Sequence, residues 1–482
     1  MLLDLLGIGT LIALIQLLGV LAAFHAIRHA RTSQGAVAWA VSLVAVPYVT
    51  LIPYLFLGHS RFTGYVRARR LCNQLMHRRA QQKILTRALD LEPEHGKRTG
   101  YLNQYALAAL TQLAQKPFSD GNQVRILING AATFAAIFAA LERATQYVMV
   151  QFFIVRDDRL GRQLKDILLD KAAAGVRVYF LYDGIGSHEL PRHYTESLRA
   201  GGVEVYRFAA RRFVNRFQLN FRNHRKLVVV DGERAFVGGH NVGIEYLGEE
   251  PPLAPWRDTH IEVLGPAVHD LQAVFIEDWY WATQRVPVLE PSRPCAPLKA
   301  EMHCLVIPSG PADPYETCLL FFIELINAAR QRVWISTPYF VPDEALFVAL
   351  RLAVMRGLDV RILLPARSDH TVVFEASTLY AYDAVRAGVK LLRYRPGFLH
   401  QKVVLIDEAA AAIGSANLDN RSFRLNFELM VLTLDATFAA EVSKMLEADF
   451  ALADAVALAE YIKLPPWRRT VMHVARLFSP LL

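Results

Sequence analysis

The stretch that decides the fold reads HRKLVVVD at residues 224–231, and a second copy reads HQKVVLID at residues 400–407. Both copies follow the pattern His-x-Lys-x-x-x-x-Asp. A small-residue segment follows each copy, Gly-Gly-His-Asn at 238–241 and Gly-Ser-Ala-Asn at 414–417. One His-x-Lys pair alone is usually a surface pair. Two copies with matching downstream segments indicate a duplicated functional unit.

The residue types in this pattern suit an anionic phosphate. Residues two apart on a strand project to the same face, so the imidazole and the ammonium of each copy can converge on one anion. The Gly-x-Asn segments resemble tight turns that bring small donors to that anion. The candidate site residues are therefore the two histidines and lysines with these donors: His224, Lys226, His400, Lys402, Asn241, Asn417 and Ser415.

An apolar run rich in Val, Leu and Ile follows each Lys and predicts a buried strand that ends at Asp231 or Asp407. These two Asp residues complete the pattern, and we expect structural roles for them, such as pairing with a basic group away from the phosphate. The first copy has Gly239 in place of Ser, which removes one hydroxyl donor. We interpret His240 first as a packing residue, and likewise Trp256, Trp279 and Trp281.

The flanking sequence also repeats. Residues 147–183 read as strand, helix with Leu and Ile at helical spacing, Gly turn and strand, and residues 333–365 read the same way. The chain should therefore contain two similar α/β lobes. We expect the two histidines to meet by face-to-face packing of these lobes, with the active site at their interface.

Two uncharged apolar runs precede the repeats, at residues 5–24 and 35–57. Each is long enough to cross a hydrocarbon core of ~30 Å, so we expect a two-helix transmembrane hairpin within residues 1–60. The alternative for the first run is a cleaved signal peptide, although it lacks a basic n-region. The alternative for the second is a buried core helix interrupted by Pro47 and Pro53.

Basic residues predict the orientation of this hairpin. The connecting loop holds only Arg28 and Arg31, whereas seven basic residues follow the second run: Arg61, Arg67, Arg69, Arg70, Arg78, Arg79 and Lys83. The positive-inside rule predicts a multi-pass protein of the cell inner membrane with its lobes in the cytoplasm. Residues 61–118 would then form a basic linker that contacts anionic headgroups.

The composition of this 482-residue chain agrees with an anionic partner. Its net charge is +8 and 53% of its residues are hydrophobic, which favours lipid headgroups or nucleic acid. Its four cysteines, Cys72, Cys295, Cys304 and Cys318, lack metal-ligand spacing, so we expect reduced thiols, no metal and no cofactor. Apolar and basic residues mix over residues 461–482, which predicts an amphipathic interfacial tail or a strap packed on a lobe.

The paired motifs resemble those of the phospholipase D superfamily, over about residues 121–449. Residues 220–248, 256–268 and 397–428 are similar to the bacterial cardiolipin synthase family. The resemblance implies two α/β/α sandwich lobes related by pseudo-twofold symmetry, which we place at residues 119–295 and 296–460. It also places a carboxylate after each Gly-x-Asn turn, at Asp258 and Glu428, where each could orient either histidine across the interface.

Two imidazoles near one phosphodiester predict nucleophilic and general acid–base catalysis through a phosphohistidine. The resemblance implies His224 as the nucleophile, His400 as the acid and base, and phosphatidylglycerol as both donor and acceptor, giving cardiolipin and glycerol. Phosphatidylethanolamine is an alternative donor. A membrane-bound phospholipase D releasing phosphatidic acid is the alternative activity. A nuclease is disfavoured because no further basic and aromatic strand-binding stretch surrounds the motifs, and the oligomeric state stays open.

Overall fold

The N-terminal apolar runs form three helices. The computed structural model describes residues 2–30, 33–58, 65–66, 100–208, 220–289 and 301–480, with side chains from residue 9 onward. Helix α1 (Leu2–His29) contains the one described segment, Gly9–His29, that is long and apolar enough to cross a membrane. The second predicted span is instead two shorter helices, α2 (Ser33–Ala45) and α3 (Pro47–Leu57). Pro47 starts α3 because proline lacks a backbone N–H and suits a first helical turn.

These three helices pack on one another through a small buried cluster. Ala23 and Ala26 of α1 contact Leu43 of α2 and Tyr54 of α3, and the Tyr54 hydroxyl lies 2.7 Å from His25 Nδ1. Large apolar side chains on their outer faces are exposed, including Leu17, Phe24, Val49 and Ile52. An apolar outer surface of this kind suits contact with lipid.

The first repeat forms a lobe of strands and helices after α4 (Gln104–Ala114). Its elements in chain order are β1 (Ser119–Ile128), α5 (Asn129–Glu142), β2 (Tyr147–Phe152), α6 (Arg159–Ala173), β3 (Arg177–Asp183), α7 (Arg192–Ala200), β4 (Glu204–Phe208), β5 (Arg222–Asn223), β6 (Leu227–Val230), β7 (Arg234–Gly238), β8 (Trp256–Arg257), β9 (Thr259–Leu264) and α8 (Ala267–Thr283). The strand–helix–strand unit predicted over residues 147–183 is confirmed as β2, α6 and β3.

The second repeat folds in the same order. Its elements are β10 (Met302–Ser309), α9 (Thr317–Ala328), β11 (Arg332–Ser336), β12 (Phe340–Val341), α10 (Glu344–Met355), β13 (Asp359–Pro365), α11 (Thr371–Arg386), β14 (Lys390–Tyr394), β15 (Phe398–Leu399), β16 (Val403–Ile406), β17 (Ala410–Gly414), β18 (Leu418–Asp419), α12 (Asn420–Arg424), β19 (Asn426–Leu434), α13 (Ala436–Ala451), β20 (Ala453–Ala455), α14 (Leu458–Lys463) and α15 (Pro466–Leu477). The unit predicted over residues 333–365 is confirmed as β11, α10 and β13.

Local sequence signals set the bounds of the repeated helices. Asp158 caps α6 by accepting from the backbone N of Gly161 at 2.9 Å, and Asp343 caps α10 through Ala345 N at 2.8 Å. Leu160, Leu164 and Leu168 recur at helical spacing on the buried face of α6. The segments following α6 and α10 each contain a glycine with positive φ, which favours chain reversal into the next strand.

The two lobes share one continuous sheet. The first lobe has the strand order β1-β9-β7-β6-β2-β3-β4, and the second has the corresponding order β10-β19-β17-β16-β11-β13-β14. Antiparallel pairing of β1 with β10, at Asn122 and Met302, joins them. The expectation of face-to-face packing was therefore wrong. The lobes meet edge to edge, because β1 and β10 would otherwise each expose an unpaired strand edge.

Helices cover both faces of this sheet. Helices α8 and α13 lie on one face and share a single apolar core with strands of both lobes. On the other face, α5, α6 and α7 cover the first lobe, and α4, α9, α10 and α11 cover the second. The predicted α/β/α sandwich with two duplicated lobes is confirmed, and the face shared by α8 and α13 ties the lobes into one body.

The C-terminal helix α15 packs against α11 of the second lobe. Met472 and Ala475 are buried there, and Arg476 forms an ion pair with Asp383 at 2.7 Å. The opposite face of the helix stays apolar and exposed, with Trp467, Val471, Val474, Leu477 and Phe478. The described part of the tail is thus packed on a lobe, which was one of the two expectations. Its outer face is apolar and exposed, as the other expectation, an amphipathic interfacial tail, requires.

Several sequence-based expectations fall outside the described residues. They include the basic residues that follow the second apolar run, Arg61, Arg67, Arg69, Arg70, Arg78, Arg79 and Lys83, together with Arg31, Cys72 and Cys295. Cys304 and Cys318 are buried free thiols. Within the described ranges, no group of three His, Cys, Asp or Glu side chains is arranged to hold a metal ion.

Candidate active site

The two His-x-Lys segments meet where the lobes join. Each lies in an extended stretch just before β6 or β16, rather than inside the strand as the sequence suggested. The short strand β5 runs parallel to the start of β19, and β15 runs parallel to β8. As a result, His224 N donates to Phe427 O at 2.9 Å and His400 N donates to Arg257 O at 2.8 Å. Each histidine backbone is held by the opposite lobe.

A carboxylate from the opposite lobe also orients each imidazole. His224 Nδ1 lies 2.9 Å from Glu428 Oε2, and His400 Nδ1 lies 2.7 Å from Asp258 Oδ2. Because a carboxylate accepts, each Nδ1 carries the proton and each Nε2 keeps its lone pair. Both rings line one cleft of about 390 Å³. The structure thus brings each histidine together with a carboxylate of the opposite lobe, as the expectation for Asp258 and Glu428 stated.

Burial keeps both imidazoles neutral in the free protein. Desolvation lowers the pKa of His224 to about 4, against the opposing attraction of Glu428. Desolvation, followed by repulsion from Lys402 and Lys226, lowers the pKa of His400 well below its usual value. Burial alone would raise the pKa of Glu428, but its interactions with His224, Lys226 and Ser415 outweigh burial and lower that pKa. A neutral Nε2 can attack phosphorus.

The two lysines lie beneath the cleft and are almost fully buried. Lys226 Nζ donates to His224 O at 2.6 Å, and Lys402 Nζ donates to His400 O. Burial lowers the pKa of Lys226 well below its usual range and that of Lys402 to about 8. Lys402 also lowers the pKa of Lys226 by repulsion, and a nearby anion would offset the repulsion between the two desolvated ammonium groups.

The surroundings of the two carboxylates differ. Glu428 accepts from four side chains, namely His224 Nδ1, Ser415 Oγ at 2.5 Å, Ser422 Oγ at 3.0 Å and Asn426 Nδ2 at 3.1 Å. Asp258 accepts from His400 Nδ1 and from the backbone N of Thr259 at 2.8 Å. Ser415 therefore lies behind Glu428 and orients it, instead of pointing to a phosphate.

The difference between Glu428 and Asp258 also explains why the first copy has Gly-Gly where the second has Gly-Ser. A Cβ on Gly239 would lie 2.0 Å from Asp258 Oδ1. Aspartate is one methylene shorter than glutamate, so its carboxylate lies nearer its own strand and occupies the space that Ser415 fills in the second copy. His240 is buried next to His260, with their Nδ1 atoms 3.2 Å apart, and packs as expected.

Asn241 and Asn417 both line the cleft. Asn241 Oδ1 accepts from Ile154 N at 3.1 Å, and its Nδ2 donates to the Tyr246 hydroxyl at 3.2 Å. Among the residues that the structure describes, the buried Oδ1 of Asn417 has no hydrogen-bond partner. An amide side chain with a free polar atom at a cleft is suited to a polar ligand.

Asp231 and Asp407 lie at the far ends of β6 and β16, away from the cleft. Asp231 accepts from the backbone N of Thr145, Gln146 and Tyr147 at 2.8–2.9 Å, and Asp407 accepts in the same way from the backbone N of Arg330, Gln331 and Arg332 at 2.8–3.2 Å. Their partners are backbone amides rather than the basic side chain that the sequence suggested. Both carboxylates hold the start of the neighbouring strand, β2 or β11.

The residue between His and Lys points away from the cleft in both copies. Arg225 forms a buried ion pair with Asp278 of α8 at 2.8 Å, and Gln401 donates to Asp449 of α13 at 2.9 Å. Asp449 also pairs with Arg257 at 2.8 Å. These buried pairs fix the His-x-Lys segments on the shared α8 and α13 face. Sequence reasoning did not identify them.

Comparison with known proteins decides the family. The model of the cardiolipin synthase phospholipase D-like domain matches residues 137–279 and 322–450, and a phospholipase D-nuclease N-terminal model matches residues 17–59. Cardiolipin synthase A of Pseudomonas aeruginosa is 56% identical over 98% of this chain and 96% of its own length. Cardiolipin synthase A of Pseudomonas fluorescens is 56% identical over 98% of both chains.

The chain belongs to the cardiolipin synthase family.

The fold agrees with this membership. The crystal structure of a phosphatidylserine synthase from Haemophilus influenzae superposes with a TM-score of 0.57 at 16% identity, over 78% of this chain and 100% of that chain. At such low identity the likeness concerns the fold alone. Phospholipid substrates and an association with the membrane follow from membership of the cardiolipin synthase family.

The cleft of this cardiolipin synthase family member also has a wall that sequence reasoning missed. Trp256, expected to be a packing residue, lies beside the His400 ring with centroids 5.1 Å apart. Its spacing from Asp258, two residues along an extended segment, was the available signal. Trp279 and Trp281 are core residues, as expected. Further lining residues are Arg222, Tyr246, Tyr339, Asp369, His370 and Arg421.

Proposed function

We propose that this protein transfers a phosphatidyl group from one phosphatidylglycerol to a second, giving cardiolipin and glycerol. One observation carries the proposal beyond family membership. Two neutral imidazoles, each fixed by a carboxylate of the opposite lobe, line a single cleft, and a buried lysine follows each histidine two residues along the chain. A phosphodiester is the substrate that such a pair can both bind and cleave.

In the first half-reaction, His224 Nε2 attacks phosphorus and the bond from phosphorus to the glycerol oxygen breaks. His400 donates a proton to the departing oxygen. Lys226 and Lys402 neutralise the charge that develops on the phosphoryl oxygens, with the Nδ2 groups of Asn241 and Asn417 as further donors. The pKa of His400 is low in the empty cleft, partly because both lysines repel its proton. An anionic substrate offsets that repulsion and raises the pKa, so that His400 can act as the acid.

In the second half-reaction, a hydroxyl of another phosphatidylglycerol gives its proton to His400 and its oxygen attacks phosphorus. The bond between phosphorus and His224 Nε2 breaks, which restores both histidines. One phosphodiester has replaced another, so no nucleotide is consumed. Asp258 and Glu428 hold each Nδ1 proton through both steps and thereby fix the tautomer.

The remaining site and location assignments extend this proposal. Asp231 and Asp407 would have a structural role, each holding the start of a neighbouring strand within its own lobe. The lobes at residues 119–295 and 296–460 would work on the cytoplasmic side of the inner membrane. Helix α1 would span the bilayer, with α2 and α3 together forming a second pass. The exposed apolar face of α15 supports a further contact with the membrane surface.

The test uses the purified protein in vesicles that contain labelled phosphatidylglycerol. The matched comparison is His224→Ala and His400→Ala against His188→Ala, which changes an exposed histidine outside the cleft. We expect the wild type and the control each to give cardiolipin and glycerol in a one-to-one ratio. The two cleft variants should give neither product. Phosphatidic acid without cardiolipin would identify a phospholipase D instead. No turnover of lipid by the wild type would refute the proposal.

A further inference from the structure

Two arginines line the active-site cleft on one side only. Arg222 lies on β5, two residues before His224, so the two side chains share a face of the extended segment. Arg421 lies on α12, just after the Gly-Ser-Ala-Asn segment. Both side chains are half-buried and line the cleft together with His224 and His400. Neither belongs to the His-x-Lys pattern.

Asn220 anchors the Arg421 side chain. Its Nη1 donates to Asn220 Oδ1 at 3.2 Å, and its Nη2 donates to Asn220 O at 2.6 Å. Burial, together with repulsion from Arg222, lowers the pKa of Arg421 to about 10, which still leaves it charged near pH 7. Two neighbouring guanidinium groups raise the energy of an empty cleft, and an anion bound between them relieves that repulsion.

Two nearby carboxylates are already engaged by backbone amides. Asp183 accepts from the backbone N of Ile185, Gly186 and Asn223, each at 2.8 Å. Asp419 accepts from Ser422 N at 2.7 Å. Burial raises the pKa of both Asp residues, which the amide contacts oppose. Both carboxylates attract Arg421, and Asp419 lines the same cleft as the two arginines.

The pseudo-twofold symmetry makes these arginines unexpected. The residue that corresponds to Arg222 in the second copy is Phe398, two before His400, and the residue that corresponds to its strand partner Asn426 is Trp256. The rings of Phe398 and Trp256 lie 4.9 Å apart. One side of the cleft is therefore cationic and the other aromatic. A single transferred phosphate, held by the symmetric lysines, does not require this difference.

We propose that Arg222 and Arg421 bind the phosphate of the acceptor lipid. The proposal rests on the proposed function. An acceptor phosphatidylglycerol carries its anionic phosphodiester one glycerol unit away from the attacking hydroxyl, whereas water and simple alcohols carry none. Guanidinium groups bind phosphate oxygens in pairs, which also orients the acceptor. This second anion site favours a lipid over water as the attacker of the phosphohistidine.

The first experiment measures how the phosphatidyl group is partitioned. Purified wild type, Arg222→Gln, Arg421→Gln and the exposed control Arg351→Gln act on labelled phosphatidylglycerol vesicles with a fixed concentration of ethanol. We expect the ratio of cardiolipin to phosphatidylethanol to fall about ten- to a hundredfold in the two cleft variants and to stay constant in the control. Arg421→Lys, which keeps the charge, should recover part of the ratio.

The second experiment needs only the wild type and so does not depend on how a variant folds. It compares labelled glycerol with labelled glycerol phosphate as soluble acceptors. We expect glycerol phosphate to be used about tenfold more efficiently or better. A parallel fall of both products in the variants, or equal use of the two acceptors, would overturn the acceptor site. A wild type that makes phosphatidylethanol but no cardiolipin would instead refute the proposed function.

Discussion

Glu428 offers a sharp test of how the histidines are activated. In Glu428→Gln the side chain keeps its size and one acceptor oxygen, which can remain beside His224 Nδ1 and Ser415 Oγ. The new amide NH₂ then faces Ser422 and Asn426. Asn426 can accommodate this change by turning its amide, because its buried Oδ1 has no partner among the described residues. The variant should therefore fold, and it loses charge rather than shape.

The magnitude follows from that loss of charge. Hydrogen bonds to a charged group contribute about 1.5–3 kcal/mol and neutral ones about 0.5–1.5 kcal/mol, so the difference is on the order of 1–2 kcal/mol for the His224 contact. At about 1.4 kcal/mol per tenfold, the loss alone slows phosphohistidine formation by roughly five- to thirtyfold. Lys226 also loses a counter-charge, since Glu428 raises its pKa. A hundredfold loss is therefore the upper expectation.

The assay traps the covalent intermediate. Labelled phosphatidylglycerol is mixed with the protein, the reaction is quenched at short times, and protein-bound label is counted for the wild type, Glu428→Gln and Glu262→Gln. Glu262 is a matched control because it is buried and paired with Arg125 and Arg234, away from the cleft. An unchanged rate of labelling in a folded Glu428→Gln would refute the reasoning, as would an equal loss in the control.

Three further predictions follow from the site. The acid limb of log kcat/KM should lie near pH 4, where the free His224 nucleophile becomes protonated. Above that limb log kcat/KM should decline, because His400 must take up the proton that it donates, and the decline should steepen above about pH 8, where Lys402 loses its charge. An acid limb near the ordinary histidine pKa would contradict the first part. Asp407→Asn should lower the free energy of unfolding by about 1–3 kcal/mol, seen as a lower Tm, with nearly unchanged activity per folded molecule. Gly239→Ser should displace Asp258 from His400 and lower kcat about tenfold or more. Adding Asp258→Asn to that variant should cause little further loss of kcat. Additive losses would show that the two positions act independently and would contradict the prediction.

The sequence predicted the parts of the site that repeat. The two His-x-Lys segments and the duplicated lobes could be inferred because each is specified twice by local patterns. The carboxylates at Asp258 and Glu428 were implied by the family resemblance, which left open which histidine each one orients. The strand–helix–strand units were predictable for the same reason, since Leu spacing and capping Asp residues are local signals.

Features that depend on long-range pairing were less accessible. The sequences of β1 and β10 contain no local signal that these strands pair, so the edge-to-edge joining of the lobes was not predicted. Arg222 and Arg421 are 199 positions apart in the chain and share a cleft only because β5 runs beside β19. The break before Pro47 was visible in the sequence, but an apolar run is equally consistent with one bent span or two short helices.

The hydrogen-bonded junction between β1 and β10 has a kinetic consequence. The two lobes share a sheet, and each histidine segment is paired to the opposite lobe. Such lobes do not close around a substrate by a hinge motion. Without such closure the cleft does not exclude water, so the choice of attacker depends on the local concentration of lipid as well as on the proposed acceptor site. Anchoring in the bilayer supplies phosphatidylglycerol at high effective concentration next to the cleft. Release of the lobes from the bilayer should therefore convert a transferase into a hydrolase.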